Sequence, residues 1–267
     1  MSAVIQLQPF LSAVGRKAMG PICYLGHVAL FLFQGVSHIF SYPFQFRKIL
    51  EQMHIIGAKS IFVIALTGAF TGMVLGLQGY YTLVMFGSEE WLGSGVALSM
   101  IREMGPVLTA IMVIGRAGSA MAAEIGIMRI SEQIDALETM DINPIRYLVS
   151  PRIAACLLSF PLLTAIFDTI GIFGGYLTGS VLLGINPGSF FYWMETSVDM
   201  QDINGGFLKS VVFALVVAVI CCYQGFYTHQ QKEGFGAKGV SQSTTRAVVI
   251  SCVLILITDY VLTSFLL

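Results

Sequence analysis

The sequence predicts an all-α integral membrane protein with five transmembrane helices and two further amphipathic helices outside the bilayer core. Of its 267 residues, 56% are hydrophobic and only 11% are charged, whereas about a quarter of the residues in a typical soluble domain are charged. Such a chain lacks the polar surface that a water-soluble globule needs, which excludes a soluble enzyme and a disordered protein. Its net charge of −1 also argues against nucleic-acid binding, which requires a basic surface.

The N-terminal segment, residues 1–56, is predicted to contain an interfacial helix and no transmembrane span. Residues 22–40 are apolar, but basic side chains flank them on both sides, including Arg16 before and Lys48 after. A transmembrane helix here would place one basic cluster on the wrong side under the positive-inside rule. A helix lying in the membrane interface satisfies both flanks. The five spans then belong to a second region, residues 57–267.

The first span is predicted over about residues 61–86. Glycine recurs every four residues at Gly68, Gly72 and Gly76, which forms a stripe of small residues where another helix can approach closely. Helix packing is the main interpretation of this stripe, and a role at a cavity or symmetry axis is the alternative. Large apolar side chains further along suit an acyl-chain slot or plain lipid contact: Leu75, Leu77, Tyr80, Leu83 and Phe86.

The second span, about residues 95–115, carries two adjacent charges, Arg102 and Glu103, deep in the membrane. Each such charge costs about 2.5–3.5 kcal/mol on insertion scales. The following Gly105 and Pro106 are expected to break the helix and expose backbone to a wet cavity. The two charges are interpreted as a polar point in a transport cavity, where Arg102 meets an anionic headgroup. A structural ion pair between helices is the alternative.

Three further spans complete the set, over about residues 153–183, 207–227 and 247–267. Asp168 and Asp259 are acids inside the third and fifth of the five spans. Each could carry protons, although a bond to a hydroxyl or exposure to water is the favoured expectation. Lys209 opens the fourth span and is expected to snorkel toward the interface, with contact to a lipid headgroup as the alternative.

The distribution of cations predicts the orientation of the chain. Twelve of the 14 Lys and Arg residues fall in the segments that five spans place on one side of the membrane. The loops on the opposite side, residues 87–94 and 184–206, contain Asp and Glu but no Lys or Arg. The positive-inside rule therefore places the N-terminus in the cytoplasm and the C-terminus outside.

Residues 123–140, on the predicted cytoplasmic side, are expected to form one amphipathic helix. Apolar residues recur at 3-4-3 spacing, at Ile127, Ile130, Ile134 and Leu137. Acidic residues occupy another face, and Asn143 and Pro144 end the helix. Such a helix can receive force from a soluble motor. A position flat on the membrane is the alternative, but it would hold the acids against anionic lipid.

The chain itself contains no motif for ATP or metal chemistry. It has no G-x-x-x-x-G-K-[ST] phosphate loop and no H-E-x-x-H pair. Its five cysteines lie in apolar stretches without the spacing of metal ligands. We therefore expect no catalytic residues, no metal and no cofactor in this chain.

Three runs of sequence closely resemble the MlaE (YrbE-type) family of ABC transporter permeases. They are GAFTGMVLGLQGY at residues 68–80, ALSMIREMGP at 97–106 and GRAGSAMAAEIGIMRISEQIDAL at 115–137. The resemblance extends from about Gly57 to the C-terminus, and the run with AEIG, MR and EQIDAL is its most specific part.

The resemblance implies the permease of an ATP-driven phospholipid transporter that maintains outer-membrane lipid asymmetry, in the inner membrane of a bacterium. It implies a homodimer, an MlaF-like ATPase that holds ATP and Mg, an MlaD-like MCE hexamer on the periplasmic side and an MlaB-like STAS protein. Lipid would pass between the inner membrane and the MCE channel.

The resemblance also implies two sets of functional residues. The lipid-binding cavity would include Leu75, Leu83, Phe86, Arg102, Glu103 and Lys209. The ATPase coupling helix, about residues 124–140, would use Glu124, Arg129, Glu132, Asp135, Leu137 and Glu138. The alternative class is an ion- or proton-coupled secondary transporter that uses Glu103, Asp168 and Asp259. Such transporters usually contain an internal repeat of their spans, and this sequence has none that we detect.

Overall fold

The computed structural model describes residues 23–40, 45–230 and 236–266, and all regular structure in these ranges is helical. Five helical segments are long and apolar enough to cross a membrane. The predicted all-α fold class with five spans is therefore confirmed. The helices are numbered α1 to α11 below, in chain order.

The first two helices precede the spans. Helix α1 is described over Cys23–Ser37, and its placement in the membrane interface stays a prediction. The residues before Cys23, including the start of the predicted helix at Ile22, lie outside the described residues. Helix α1 is anchored through Phe31, which is buried against Tyr223 and Phe226 at ring-centroid distances of 5.6 and 5.8 Å.

Helix α2, Phe46–Ile56, runs almost directly into α3, Ile61–Val84, through a single 3₁₀ turn. The glycine stripe of α3 packs against α8, Ser150–Tyr176. A Cβ atom added at Gly72 would overlap the carbonyl group of Gly171, so the two backbones are in direct contact. Helix packing is thus the correct interpretation of this stripe.

The second segment is a continuous 42-residue helix, Glu89–Ile130. It consists of a 3₁₀ turn at Glu89–Trp91, α4, Leu92–Ser99, a π turn at Met100–Met104, α5, Gly105–Val113, a second π turn at Ile114–Gly118, and α6, Ser119–Ile130.

The expected break at Gly105 and Pro106 does not occur. The amide of Gly105 bonds to the carbonyl of Met100 across the first π turn, and Pro106 falls at the start of α5, where its missing N–H is tolerated. The π turn thus accommodates the proline without interrupting the helix.

The predicted single helix over residues 123–140 is wrong. Helix α6 ends at Ile130, Glu132 adopts a left-handed conformation with φ of 58°, and a separate short helix, α7, covers Gln133–Thr139. The chain turns here because Ile134 is fully buried while Ile127 is exposed, so the two do not share one apolar face. The apolar residues keep an even 3-4-3 spacing across this point, so their pattern does not indicate the change of direction.

Helix α8 is extended by a π turn at each end, Ile145–Val149 and Leu177–Leu182, and three further helices follow it. They are α9, Pro187–Ser197, α10, Met200–Phe226, and α11, Gly236–Leu266. Helix α9 was not anticipated and lies in the predicted external loop, where Trp193 stacks on Trp91 with ring centroids 4.0 Å apart. Helices α10 and α11 begin earlier than expected, because polar residues extend both beyond their apolar parts.

Candidate functional site

Four of the charged residues predicted inside the spans meet in one network with Asp202 and Thr263. We call it the outer charge cluster, and its members are Arg102, Glu103, Asp202, Lys209, Asp259 and Thr263. Three structural elements supply it, the first π turn, α10 and α11. The cluster borders a cavity of about 200 Å³ on the predicted external side. Asp199, Gln201, Gly205, Gly206 and Leu266 complete the lining.

Lys209 is the centre of the cluster and is only 2% exposed. Its ammonium nitrogen lies 2.8 Å from a carboxylate oxygen of Glu103 and 3.1 Å from one of Asp259. It also donates to the hydroxyl of Thr263 at 2.7 Å. The expectation that Lys209 snorkels to the interface is therefore wrong, because three other side chains hold its charge inside the protein.

The backbone provides a fourth partner for Lys209. The ammonium group donates to the carbonyl oxygen of Arg102 at 2.8 Å. In an α-helix that oxygen would accept from the amide four residues later, but this residue is Pro106, which has no N–H. The proline that follows the π turn thus leaves free the acceptor that helps to hold the buried cation.

Arg102 and Glu103 do not pair with each other. The Nε of Arg102 lies 2.7 Å from a carboxylate oxygen of Asp202 on α10, while Glu103 binds Lys209. Asp202 also accepts from the amide of Asp199 at 3.2 Å, as part of the capping box that begins α10. The guanidinium side chain of Arg102 remains 43% exposed at the cavity. Arg102 and Glu103 thus each form an ion pair with another helix, and part of each side chain stays exposed at the cavity.

The apolar residues assigned to the lipid cavity lie apart from the charge cluster within this chain. Leu75 and Leu83 are partly buried against the core, whereas Phe86 is 77% exposed. None of the three is among the residues that line the cavity of the cluster. Their role as lipid contacts stays a prediction.

The two intramembrane aspartates differ. Asp259 belongs to the cluster through Lys209, whereas Asp168, on α8, lies against Gly105 and has a carboxylate oxygen without a hydrogen-bond partner among the described residues. Of the two environments expected for Asp168, a hydroxyl bond is not found among the described residues, and exposure of the carboxyl group to water stays a prediction.

The predicted coupling residues differ in their partners within the chain, and their role as an ATPase contact stays a prediction. Glu124 pairs with the buried Arg152 of α8 at 2.9 Å, and Arg129 pairs with Asp135 at 2.8 Å across the turn between α6 and α7. Leu137 is partly buried, so only Glu132 and Glu138 of the set are exposed without such a partner. What extends outward is therefore the short helix α7 with its flanking turns.

Arg129 also binds the end of α10. Its Nε donates to Nδ1 of His229 at 3.0 Å. Burial, followed by the nearby charge of Arg129, lowers the pKa of His229, which favours the neutral ring that can accept this bond. Arg129 thus connects α7 to the 3₁₀ turn Thr228–Gln230 that follows α10.

Sequence reasoning missed Asp202 and Thr263 as members of the cluster. Asp202 was assigned to an external loop, although the spacing of Asp199 and Asp202 before an apolar run is a recognisable N-terminal capping signal. Thr263 lies one helical turn beyond Asp259 on α11, and no signal in the sequence marked it.

A bundle of membrane-crossing helices with a charged cavity at one end and a protruding short helix at the other is the architecture of a polytopic permease. Within the described ranges no group of His, Cys, Asp or Glu side chains could hold a metal ion. The family model described as Permease MlaE matches residues 49–265. The chain belongs to the MlaE permease family.

Individual relatives match nearly the whole chain. The intermembrane phospholipid transport system permease protein MlaE of Haemophilus influenzae is 41% identical over 258 residues, which cover 96% of this chain and 97% of that protein. A probable ABC transporter permease of Rickettsia typhi is 41% identical over 95% of this chain and 96% of its own length. The chloroplastic protein TRIGALACTOSYLDIACYLGLYCEROL 1 of Arabidopsis thaliana is 38% identical over 90% of this chain and 65% of that protein.

Proposed function

We propose that this chain is the inner-membrane permease subunit of an ATP-driven phospholipid transporter. The observation that carries the proposal is the cavity beside the outer charge cluster, in a chain whose H. influenzae relative is named for phospholipid transport. Arg102 donates to Asp202 through its Nε. The terminal amino groups of the guanidinium are therefore left for a lipid phosphate. Guanidinium groups bind phosphate in a bidentate manner.

With its acids ionised the cluster carries a net charge of −1, so it suits a zwitterionic lipid whose phosphate meets Arg102. Arg102 and Lys209 carry two positive charges, and Glu103, Asp202 and Asp259 carry three negative charges when ionised. Lys209 is enclosed by its partners, so the exposed positive group is Arg102. The phosphate would therefore bind at Arg102, with acyl chains placed along Leu75, Leu83 and Phe86 of a neighbouring copy or of this chain.

The proposal includes a specific assembly. Two copies of the permease bind an MlaF-like ATPase that hydrolyses ATP, an MlaB-like STAS protein acts on that ATPase, and an MlaD-like MCE hexamer receives lipid on the periplasmic side. Lipid exchanged between the inner membrane and this channel would maintain outer-membrane asymmetry. The N-terminus is placed in the cytoplasm and the C-terminus in the periplasm, as the distribution of cations predicts.

A secondary transporter driven by ions or protons is less well supported. Two of the three acids that it would use, Glu103 and Asp259, share the ammonium group of Lys209, so neither is free to carry a proton alone. Purification in mild detergent distinguishes the two classes. An ATPase that accompanies the permease supports our proposal, and a permease that drives ion-dependent transport without any ATPase contradicts it.

Replacing Arg102 with alanine tests the phosphate contact. We expect roughly tenfold weaker phospholipid binding, about 1.4 kcal/mol, since charge-assisted hydrogen bonds are lost. Phospholipid that copurifies with the permease is quantified by mass spectrometry, and transport is followed between donor and acceptor vesicles. Arg47→Ala, an exposed cation of α2, is the matched control and should retain wild-type binding. Unchanged lipid binding by a correctly folded Arg102→Ala variant would refute the role of this residue.

Charge reversal at Glu138 tests whether α7 contacts the ATPase. Glu138 is exposed at the end of α7, and Glu138→Lys should weaken ATPase binding by roughly three- to tenfold, because complementary charge at an interface is reversed. Affinity is measured with the purified ATPase and the permease in nanodiscs. Glu89→Lys, which reverses a charge at the opposite end of the spans, should bind normally. Equal affinities for both variants would exclude Glu138 from the interface.

A further inference from the structure

A second cavity, of about 180 Å³, lies on the other side of the first π turn. It is bordered by the π turn, α8 and α10, and most of its lining is apolar, with Ile172, Ile203 and Phe207 among the residues. Asp168 and Thr164, both on α8, contribute polar side chains to it. The outer charge cluster does not use either residue.

Asp168 forms no ion pair with any cation of the part of the chain that the structure describes. Its carboxyl group lies against Gly105, where a side chain would collide with it, and its buried Oδ1 has no hydrogen-bond partner among the described residues. The first π turn and α10, which border the cavity with α8, carry the cations Arg102 and Lys209, and both of these pair with other acids. An ionised carboxylate that is buried among apolar groups is costly unless a positive charge compensates it.

Two further oxygen atoms at this cavity also lack a hydrogen-bond partner within the described part of the chain. The hydroxyl of Thr164 is buried without a partner, although helical threonines commonly bond the preceding turn, and it lies one turn from Asp168 on the same helix face. The carbonyl of Ile101 has no helical donor, because the amide of Gly105 bonds to Met100 and Pro106 has no N–H.

Glycine provides the space around that carbonyl. A Cβ atom added at Gly206 would lie 2.5 Å from the carbonyl oxygen of Ile101, and both residues line the cavity. Ile101 also lies one turn before Gly105, the residue that contacts Asp168. Ile101 and Asp168 both line this cavity, so the free carbonyl belongs to a residue at the same site as the carboxyl group.

We propose that this cavity binds one small monovalent cation, Na⁺, between the carboxylate of Asp168, the hydroxyl of Thr164 and the carbonyl of Ile101. Three oxygens without donors are the ligand type that hard cations prefer. A single carboxylate balances one positive charge, which favours a monovalent ion over a divalent one. Free carbonyls at irregular turns of membrane helices are typical Na⁺ ligands, and the remaining volume accommodates waters that complete the coordination.

The test measures sodium binding directly and by stability. Purified permease in nanodiscs, together with any subunits that copurify, is incubated with radioactive sodium, and its thermal unfolding is followed in NaCl and in choline chloride at equal ionic strength. We expect saturable retention of sodium and a higher unfolding midpoint in NaCl, since a ligand that binds the folded state stabilises it. Equal midpoints without retained sodium, or a midpoint that responds to pH and not to sodium, would overturn the proposal.

Three variants assign the ligands. Asp168→Asn should abolish retention of sodium, and Thr164→Val should weaken it by roughly fivefold or more. Thr169→Val is the matched control, because Thr169 lines the same cavity but its hydroxyl already donates to the carbonyl of Ala165 at 2.7 Å. Undiminished sodium binding by folded Asp168→Asn would refute the site. If that variant does not fold, the comparison of sodium retention by Thr164→Val and by Thr169→Val decides whether the site exists. The result does not depend on whether phospholipid is the substrate.

Discussion

Lys209→Met is expected to destabilise the protein by about 3–5 kcal/mol, which is the usual cost of removing one partner from a buried ion pair. The substitution leaves the carboxylates of Glu103 and Asp259 facing each other without a cation. It also removes the donor from the carbonyl that Pro106 leaves free. The fraction of folded permease against temperature, measured in detergent by a thiol-reactive or fluorescence assay, reports the loss.

The triple variant Lys209→Met, Glu103→Gln and Asp259→Asn is the matched control for this prediction. It removes the two acids together with the cation, so no charge remains buried without a partner, and it should recover most of the lost stability. A single Lys209→Met variant as stable as the wild type would mean that the ammonium group does not hold the three helices together.

Gly72→Ala is expected to cost more than about 3 kcal/mol, at or beyond the upper end of ordinary overpacking. The added methyl group would overlap the carbonyl of Gly171, and a backbone carbonyl cannot rotate away as a side chain can. Helices α3 and α8 would have to separate along their whole contact. The yield of monodisperse protein and its unfolding midpoint measure the effect.

Gly95→Ala adds the same methyl group elsewhere in the spans and provides the comparison. No atom lies within 4 Å of a Cβ built at Gly95, so this variant should match the wild type or gain about 0.4–1 kcal/mol. Two variants of equal stability would show that α3 and α8 are not in backbone contact.

The spans, the packing stripe of α3 and the charged second segment could all be predicted from the sequence. Each depends on a short-range pattern, namely an apolar run, a four-residue glycine spacing or a charge within an apolar run. The continuity of the second segment could not be predicted, since Gly105 and Pro106 usually signal a break and the π turn that accommodates them has no sequence signature.

The ion-pair partners of the charged residues in the spans could not be predicted from the sequence either. The distances from Arg102 to Asp202 and from Lys209 to Asp259 follow from how the second segment, α10 and α11 cross, and crossing is set by packing of whole helices. The turn at Glu132 was hidden for the opposite reason. Local periodicity favoured a continuous helix, and the burial of Ile134 on a different face overrode it.

The two π turns have a consequence for movement along the second segment. A π turn contains one residue more than the α turn that it replaces, so the 42-residue segment holds two surplus residues between its ends. If one surplus residue shifts along the helix, the stretch that it passes rotates by about 100° and slides by about 1.5 Å, the increments of a single residue. The side chains of Met100–Met104 can therefore rotate about the helix axis and move along it while both ends of the segment stay in place.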